Sequence, residues 1–239
     1  MFLSGVREWL VYFEKREMDL NKMMVVQCWD DGVTADERLV DVLRHYGAKA
    51  TFNLCAGLYD NERKFGWMHG NTEVWRLGRN EMRDLYKGFT IASHSLTHPY
   101  LDQLSHDALR WEIREGRERL QQFFGQAVEG FAYPFGAYND TVMEVVAEAG
   151  HTYARAGAVG VPCSLPPPNA MVFHPSCHFL AHDFWERYEE ARPYGVFYFW
   201  GHSYEMIHED MWTAFAEKMR RISADPASFW ADVCDLFHH

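Results

Sequence analysis

Residues 24–32, Met-Val-Val-Gln-Cys-Trp-Asp-Asp-Gly, read as an apolar strand that stops abruptly at two adjacent carboxylates. In a sheet core Asp30 and Asp31 would each need a partner for its charge, so a pair at the C-terminal edge of a strand is costly unless a cation or a reaction uses it. Gly32 allows the tight turn that lifts the pair clear of the strand. Taken alone, Asp-Asp-Gly is more often a capping turn than a reactive pair. The rest of the chain decides between the two.

Outward from this strand, apolar runs alternate with helical periodicities. Leu39, Val42, Leu43 and Tyr46 recur at helical spacing over 35–46, and Gly47 closes that helix. Residues 49–54 read as a strand, 56–79 as an irregular stretch rich in Gly, Asn and Trp, and a short helix starts at Asn80 ahead of a strand at 89–92. Ser105 caps an amphipathic run from Ala108 to Phe124 that Gly125 ends. Strand 130–133, helix 139–149, strand 152–155, helix 182–191, strand 196–200 and helix 209–222 continue the pattern. Such alternation predicts an α/β fold with a parallel sheet or barrel, whose site lies at the C-terminal ends of its strands. Asp30 with Asp31, His94, the turn Pro134 to Gly136, and His202 each follow a different predicted strand.

The chain has 239 residues and 48% apolar content, enough for one large domain with a substantial core. No linker, repeat or low-complexity tract divides it, and Pro166-Pro167-Pro168 reads as a surface loop. Arg7, Glu8, Glu14, Lys15, Arg16 and Glu17 lie among apolar residues near the start, which predicts an amphipathic helical extension over 1–22 preceding a domain over 23–239. That pattern is not a secretory signal, and a cytoplasmic location is expected. No apolar run approaches the roughly 20 residues of a membrane span. A net charge of −11 without a Lys/Arg block argues against a nucleic-acid backbone as partner. Cys28, Cys55, Cys163, Cys177 and Cys234 are odd in number and lack C-x-x-C spacing, which argues against a disulfide framework or a cysteine zinc cluster. The nine Trp suit a core, and also a cleft that binds sugars on flat apolar faces. Nothing in the sequence speaks to oligomeric state.

His94-Ser95-Leu96-Thr97-His98 offers two imidazoles four residues apart, although 13 histidines in this length give roughly 0.7 such pairs by chance. His174, His178 and His182 share the spacing, with Asp183 beside the last, but they straddle Pro175 in a less regular region. The first pair directly follows an apolar strand. Two His and one carboxylate, with positions left open for water and substrate, form a known catalytic zinc arrangement. Phe131 to Gly136 is a strand ending in a Pro-aromatic-Gly turn that exposes backbone N–H groups. Phe197 to His202 is a buried strand ending in an imidazole, which by itself is more often a core residue than a catalyst.

In order, Asp30-Asp31-Gly32, His94-x-x-x-His98, Tyr133-Pro134-Phe135-Gly136 and His202 closely resemble the polysaccharide deacetylase family, the NodB-homology or carbohydrate esterase 4 group, over about residues 24 to 205. The resemblance implies a distorted, seven-stranded (β/α) barrel that hydrolyses N-acetyl, sometimes O-acetyl, groups on a saccharide. It makes Asp30 the general base, Asp31, His94 and His98 the ligands of one divalent metal, zinc first among candidates, and His202 the general acid. It sets the turn Tyr133, Pro134 and Phe135 against the oxyanion and substrate, with the Phe135 N–H facing the oxyanion. The chain departs from the family pattern at three places. Ala132 stands where many members carry an Arg that orients the base, Cys28-Trp29 replaces Thr-Phe, and Asp183-Phe184-Trp185 only weakly matches a later acidic-Trp element. Two other readings use the same fold: an allantoinase-like cyclic amide hydrolase, and a catalytically silent carbohydrate-binding protein.

Overall fold

Met23–Asp30 forms the central strand, β1, because Val25, Val26, Cys28 and Trp29 are buried on both of its faces, as in a parallel strand covered on each side. The computed structural model describes residues 22–157 and 169–237, so the expected N-terminal helix, Cys163 and the triple proline lie outside the described residues. Along the chain follow α1 (Asp36–His45), β2 (Thr51–Leu54), β3 (Lys64–His69), β4 (Thr72–Arg76), α2 (Arg79–Leu85), β5 (Thr90–Ser93) and α3 (His106–Phe124). Then come β6 (Gly130–Ala132), α4 (Asp140–Glu148), β7 (Tyr153–Arg155), β8 (Cys177–His178), α5 (Phe184–Ala191), β9 (Val196–Gly201), α6 (Glu209–Ser223) and β10 (Ser228–Trp230).

The main sheet runs β7-β6-β5-β2-β1-β9-β8, seven strands all parallel to their neighbours. β9 flanks β1 from Met24 to Trp29, so β10 and β2 share its other edge, β10 against Met23 to Val25 and β2 against Cys28 to Asp30. One chain segment links the two ends of the sheet. Phe173 exchanges backbone hydrogen bonds with Ala154 and Ala156 beside β7, and Ser176 N–H donates to the Tyr198 carbonyl of β9 at 2.6 Å. The result is the distorted (β/α) barrel that the sequence predicts.

Strand periodicity sets what the barrel holds. Val26, Cys28, Tyr153, Val196 and Tyr198 pack together with Ala231, Val233 and Leu236 of the C-terminal segment. Counting in twos along each strand puts Asp30, Arg155, Trp200 and His202 on that same face, at the C-terminal rim. The other face carries Val25, Trp29, Phe52, Phe197 and Phe199 against Leu39 and Leu43 of α1, Phe184 of α5 and Phe215 and Met219 of α6. Each such large apolar side chain, fully buried, contributes about 1.5–3 kcal/mol. Trp29 is accommodated because its indole N–H donates to Gln27 Oε1 at 2.9 Å, and Gln27 in turn donates to the Lys49 carbonyl.

Three features differ from expectation. The irregular stretch 56–79 contains an antiparallel hairpin, β3–β4, with a register shift between Phe65 and Trp67. Its turn, Gly70-Asn71 with Gly70 at φ 57°, is a hairpin signal present in the sequence. β8 and β10 are strands of two and three residues whose pairing depends on neighbours far away in sequence. No helix among the described residues is long and apolar enough to cross a membrane.

Candidate active site

The C-terminal ends of the strands surround one cavity of about 450 Å³, lined by Asp30, Asp31, His94, His98, Tyr133, Phe135, Gly136, Arg155, Gly157, Trp200, His202 and Tyr204. Seven of the eight site residues singled out from sequence line it. The eighth, Pro134, is buried in the turn beneath Phe135 and shapes that turn.

Asp30 is 2% exposed. Its Oδ1 accepts from Asn53 Nδ2 at 2.6 Å and its Oδ2 from Arg155 Nη2 at 2.5 Å. Burial by itself would raise this carboxyl, but the Arg155 guanidinium, followed by His94, His202 and the Asn53 hydrogen bond, holds it well below the usual carboxylate range. Arg155 fills the gap left by Ala132. The two residues are register partners across β6 and β7, so the guanidinium reaches Asp30 from the adjacent strand, lying 4.7 Å over the Trp200 ring. Its place at the end of a predicted strand puts Arg155 at the rim, but nothing in the sequence pairs it with Asp30.

Asp31 leaves the strand at φ 82°, and its carbonyl accepts from Tyr59 Oη at 2.9 Å. Gly32 follows at φ 61°, where an added Cβ would come within 2.5 Å of the Tyr59 oxygen. His94 donates from Nδ1 to the Ala132 carbonyl at 2.7 Å, which leaves its Nε2 lone pair facing the cavity. His98, at φ 62°, donates its backbone N–H to Ser95 Oγ. Glu112 of α3 clamps the loop between the two imidazoles by accepting from the Leu96 and Thr97 N–H groups and from Thr97 Oγ1. Gly116 of the same helix lets it approach, since a Cβ there would lie 2.9 Å from the backbone of Ser95 and Leu96. Among the described residues the non-glycine positions with positive φ are Asp31, Ser95, His98 and Phe135, all at this rim, where strain is tolerated when the surrounding structure enforces it.

The donor set fits a divalent cation. Asp31, His94 and His98 each offer an atom within 4.8 Å of the others, and the two Nε2 atoms lie 3.1 Å apart. Two imidazoles on a tetrahedral zinc, each at about 2.0–2.1 Å, stand roughly 3.3 Å from one another. Burial lowers His94 and pushes His98 down to about 4, with the neighbouring His94 adding to the second shift, so both rings are neutral and able to ligate.

His202 directs Nε2 at the acidic pair, 3.8 Å from Asp30 Oδ2 and 3.9 Å from Asp31 Oδ2. Its Nδ1 faces Glu205 Oε2 at 3.3 Å, and its backbone N–H donates to the same oxygen at 3.0 Å. Burial would lower His202, but Glu205, then Asp30 and Asp31, raise it. Glu205 was not singled out from sequence. The rival histidines do not converge: His178 joins Glu205 and His202, whereas His174 and His182 belong to neither group of metal-capable side chains among the described residues. Asp183 accepts from Arg187 at the start of α5 and does not line the cavity.

Barrel, rim and donor set together place the chain among parallel (β/α)-barrel proteins with a carboxylate–imidazole site. It belongs to the polysaccharide deacetylase family, whose profile matches residues 17–154. A peptidoglycan-N-acetylglucosamine deacetylase from Bacillus cereus is 27% identical over 140 residues, covering 56% of this chain and 57% of that protein. The chain spans 30 to 57% of the lengths of the curated relatives it matches. A family 4 carbohydrate esterase from Bacillus anthracis shares the fold with a TM-score of 0.59 at 18% identity, covering 95% of this chain and 91% of that one. A wild-type pseudoenzyme of the same esterase family, also from Bacillus anthracis, has a TM-score of 0.58 at 16% identity, covering 92% and 66%.

Proposed function

We propose that this chain is a metal-dependent hydrolase that removes acetyl groups from an N-acetylated saccharide. The observation that carries this reading is one cavity that combines a three-donor cage with an ionised carboxylate, Asp30, and an imidazole, His202, backed by Glu205. Asp31, His94 and His98 would hold the ion, with zinc the first candidate. Such an ion polarises an acyl oxygen and acidifies water.

The chain's own groups supply the proton movements. Asp30, oriented by Arg155 and Asn53, takes a proton from the attacking water. The Phe135 N–H, in the turn after β6, is the donor assigned to the developing oxyanion. His202 Nε2 gives its proton to the amine nitrogen, which is otherwise too basic to leave once its bond to carbon breaks. Since the fold also occurs in a pseudoenzyme, fold alone does not carry catalysis; the acid and base do. A silent binder needs neither.

Two flat rings support a saccharide as substrate. Phe135 and Tyr100 are 58% and 47% exposed and stack at 4.0 Å with 12° between their planes, beside His98. Exposed apolar surface at a cavity mouth marks a ligand-binding edge, and aromatic faces suit pyranose rings. On the other side Tyr204 contacts Trp67 and His69 of the hairpin.

Acetate release from chitooligosaccharides, peptidoglycan fragments and acetylxylan, with and without chelator, tests the proposal. Release from at least one N-acetyl saccharide, abolished by chelator and restored by a divalent ion, is expected; ring opening of a cyclic amide instead would favour the allantoinase-like reading. Tyr100→Ala should raise KM for an oligosaccharide several-fold and leave nitrophenyl acetate hydrolysis unchanged. His202→Ala should keep the metal and lose activity mainly on amides, because an activated ester releases a leaving group that needs no proton. Equal losses on both substrates would remove the acid role from His202.

A further inference from the structure

His178, His202 and Glu205 form the second group of side chains whose donor atoms lie within 4.8 Å of one another, and by composition they would suit a metal. The surroundings of His178 argue otherwise. The Leu180 backbone N–H donates to His178 Nδ1 at 3.3 Å, so that nitrogen carries the lone pair. In a neutral ring the proton then sits on Nε2, and a protonated nitrogen cannot ligate. The protonated Nε2 of His178 lies 2.9 Å from Glu205 Oε2, an ion-pair contact.

We propose that His178 is a positioning residue: its Nε2–H holds the Glu205 carboxylate against His202 Nδ1 and so decides which nitrogen of His202 faces the cavity. This rests on the reading of His202 as the proton donor. The fold makes the contact possible through β8, which pairs with β9 so that His178 is the register partner of Trp200, two residues before His202. The His178 ring meets the Trp200 ring at 5.0 Å and 79°, a contact that fixes its plane. Glu205 sits in the turn just after His202 and already accepts that residue's backbone N–H. The backbone bond fixes the position of the carboxylate, and the His178 contact on its Oε2 holds its rotamer. His202 Nδ1 lies 3.3 Å from that carboxylate, within ion-pair range but without hydrogen-bond geometry, and a proton on it is drawn to Glu205, which leaves Nε2 facing Asp30 and Asp31.

The test compares His178→Leu, which removes the donor, with His178→Gln, whose carboxamide N–H can take the place of Nε2–H. His178→Leu is expected to lower kcat on an N-acetyl saccharide about tenfold or more, with KM, metal content and nitrophenyl acetate hydrolysis unchanged, and His178→Gln to recover most of the loss. In parallel, nitrogen-15 NMR of histidine-labelled protein should show His178 as the Nε2–H tautomer, and a His202 Nδ1–H signal that is lost in His178→Leu and returns in His178→Gln. A proton on His178 Nδ1, zinc-induced shifts at His178 Nε2, or equal loss on amide and ester in both variants would overturn the proposal. Wild-type protein inactive on every acetylated saccharide would overturn the deacetylase reading instead, and the NMR result would still decide the role of His178.

Discussion

Arg155→Met is expected to leave the metal content of the protein as it is and to lower acetyl release by on the order of 10² or more. Arg155 and Asp30 are 4% and 2% exposed, so removing the guanidinium strands a buried carboxylate with Asn53 and two imidazoles as its remaining partners. Breaking such a pair costs about 3–5 kcal/mol of stability. The sign of the pH effect follows from the direction of the shift. In the native protein the Asp30 carboxyl lies below its unfolded value, so its stabilisation is present above the ordinary carboxylate range and is lost on acidification. Without Arg155 the carboxyl rises, and both the acid limb of the rate profile and the loss of stability move to higher pH. Adding Ala132→Arg to Arg155→Ala places a guanidinium one strand over, at the register partner, and should restore part of the activity. Thermal melts, metal analysis and pH–rate profiles of the three variants check this. An unchanged rate in Arg155→Met would show that Asn53 alone orients the base.

The other large effect concerns the ion. His94→Ala and His98→Ala should each abolish metal retention and acetyl release together, because the proposed site has three protein donors and loss of one leaves two. Asp31→Asn should weaken the metal, whereas Asp30→Asn should keep it and lose turnover. Metal analysis of the purified variants separates these outcomes. Stoichiometric metal in a His94→Ala/His98→Ala double variant would move the site elsewhere, and equal metal loss in both aspartate variants would mean that the acidic pair is wrongly divided.

The β1 sequence suggests its strand and rim, because a run broken only by Gln27 suits burial on both faces and two carboxylates after it suit a strand end, and the alternation along the rest of the chain decides the reading. The His94 to His98 spacing and the terminal His202 are legible for the same local reason, as is the Pro134 to Gly136 turn. The β3–β4 hairpin was legible too, in Gly70-Asn71, but its aromatic-rich strands lack clean alternation. Asn53, Arg155, Glu205 and His178 belong to a different kind of information. Each is an ordinary polar residue until the strand order is known: Asn53 matters because β2 lies beside β1 in the register that opposes it to Asp30, and Arg155 because β7 lies beside β6. Periodicity of two tells which face a side chain takes, and that much the sequence determines by itself. Which strands become neighbours, and in what register, is decided by tertiary packing, which brings Arg155 to Asp30 across 125 positions of sequence, so the partners of the proposed acid and base could be read only from the tertiary structure.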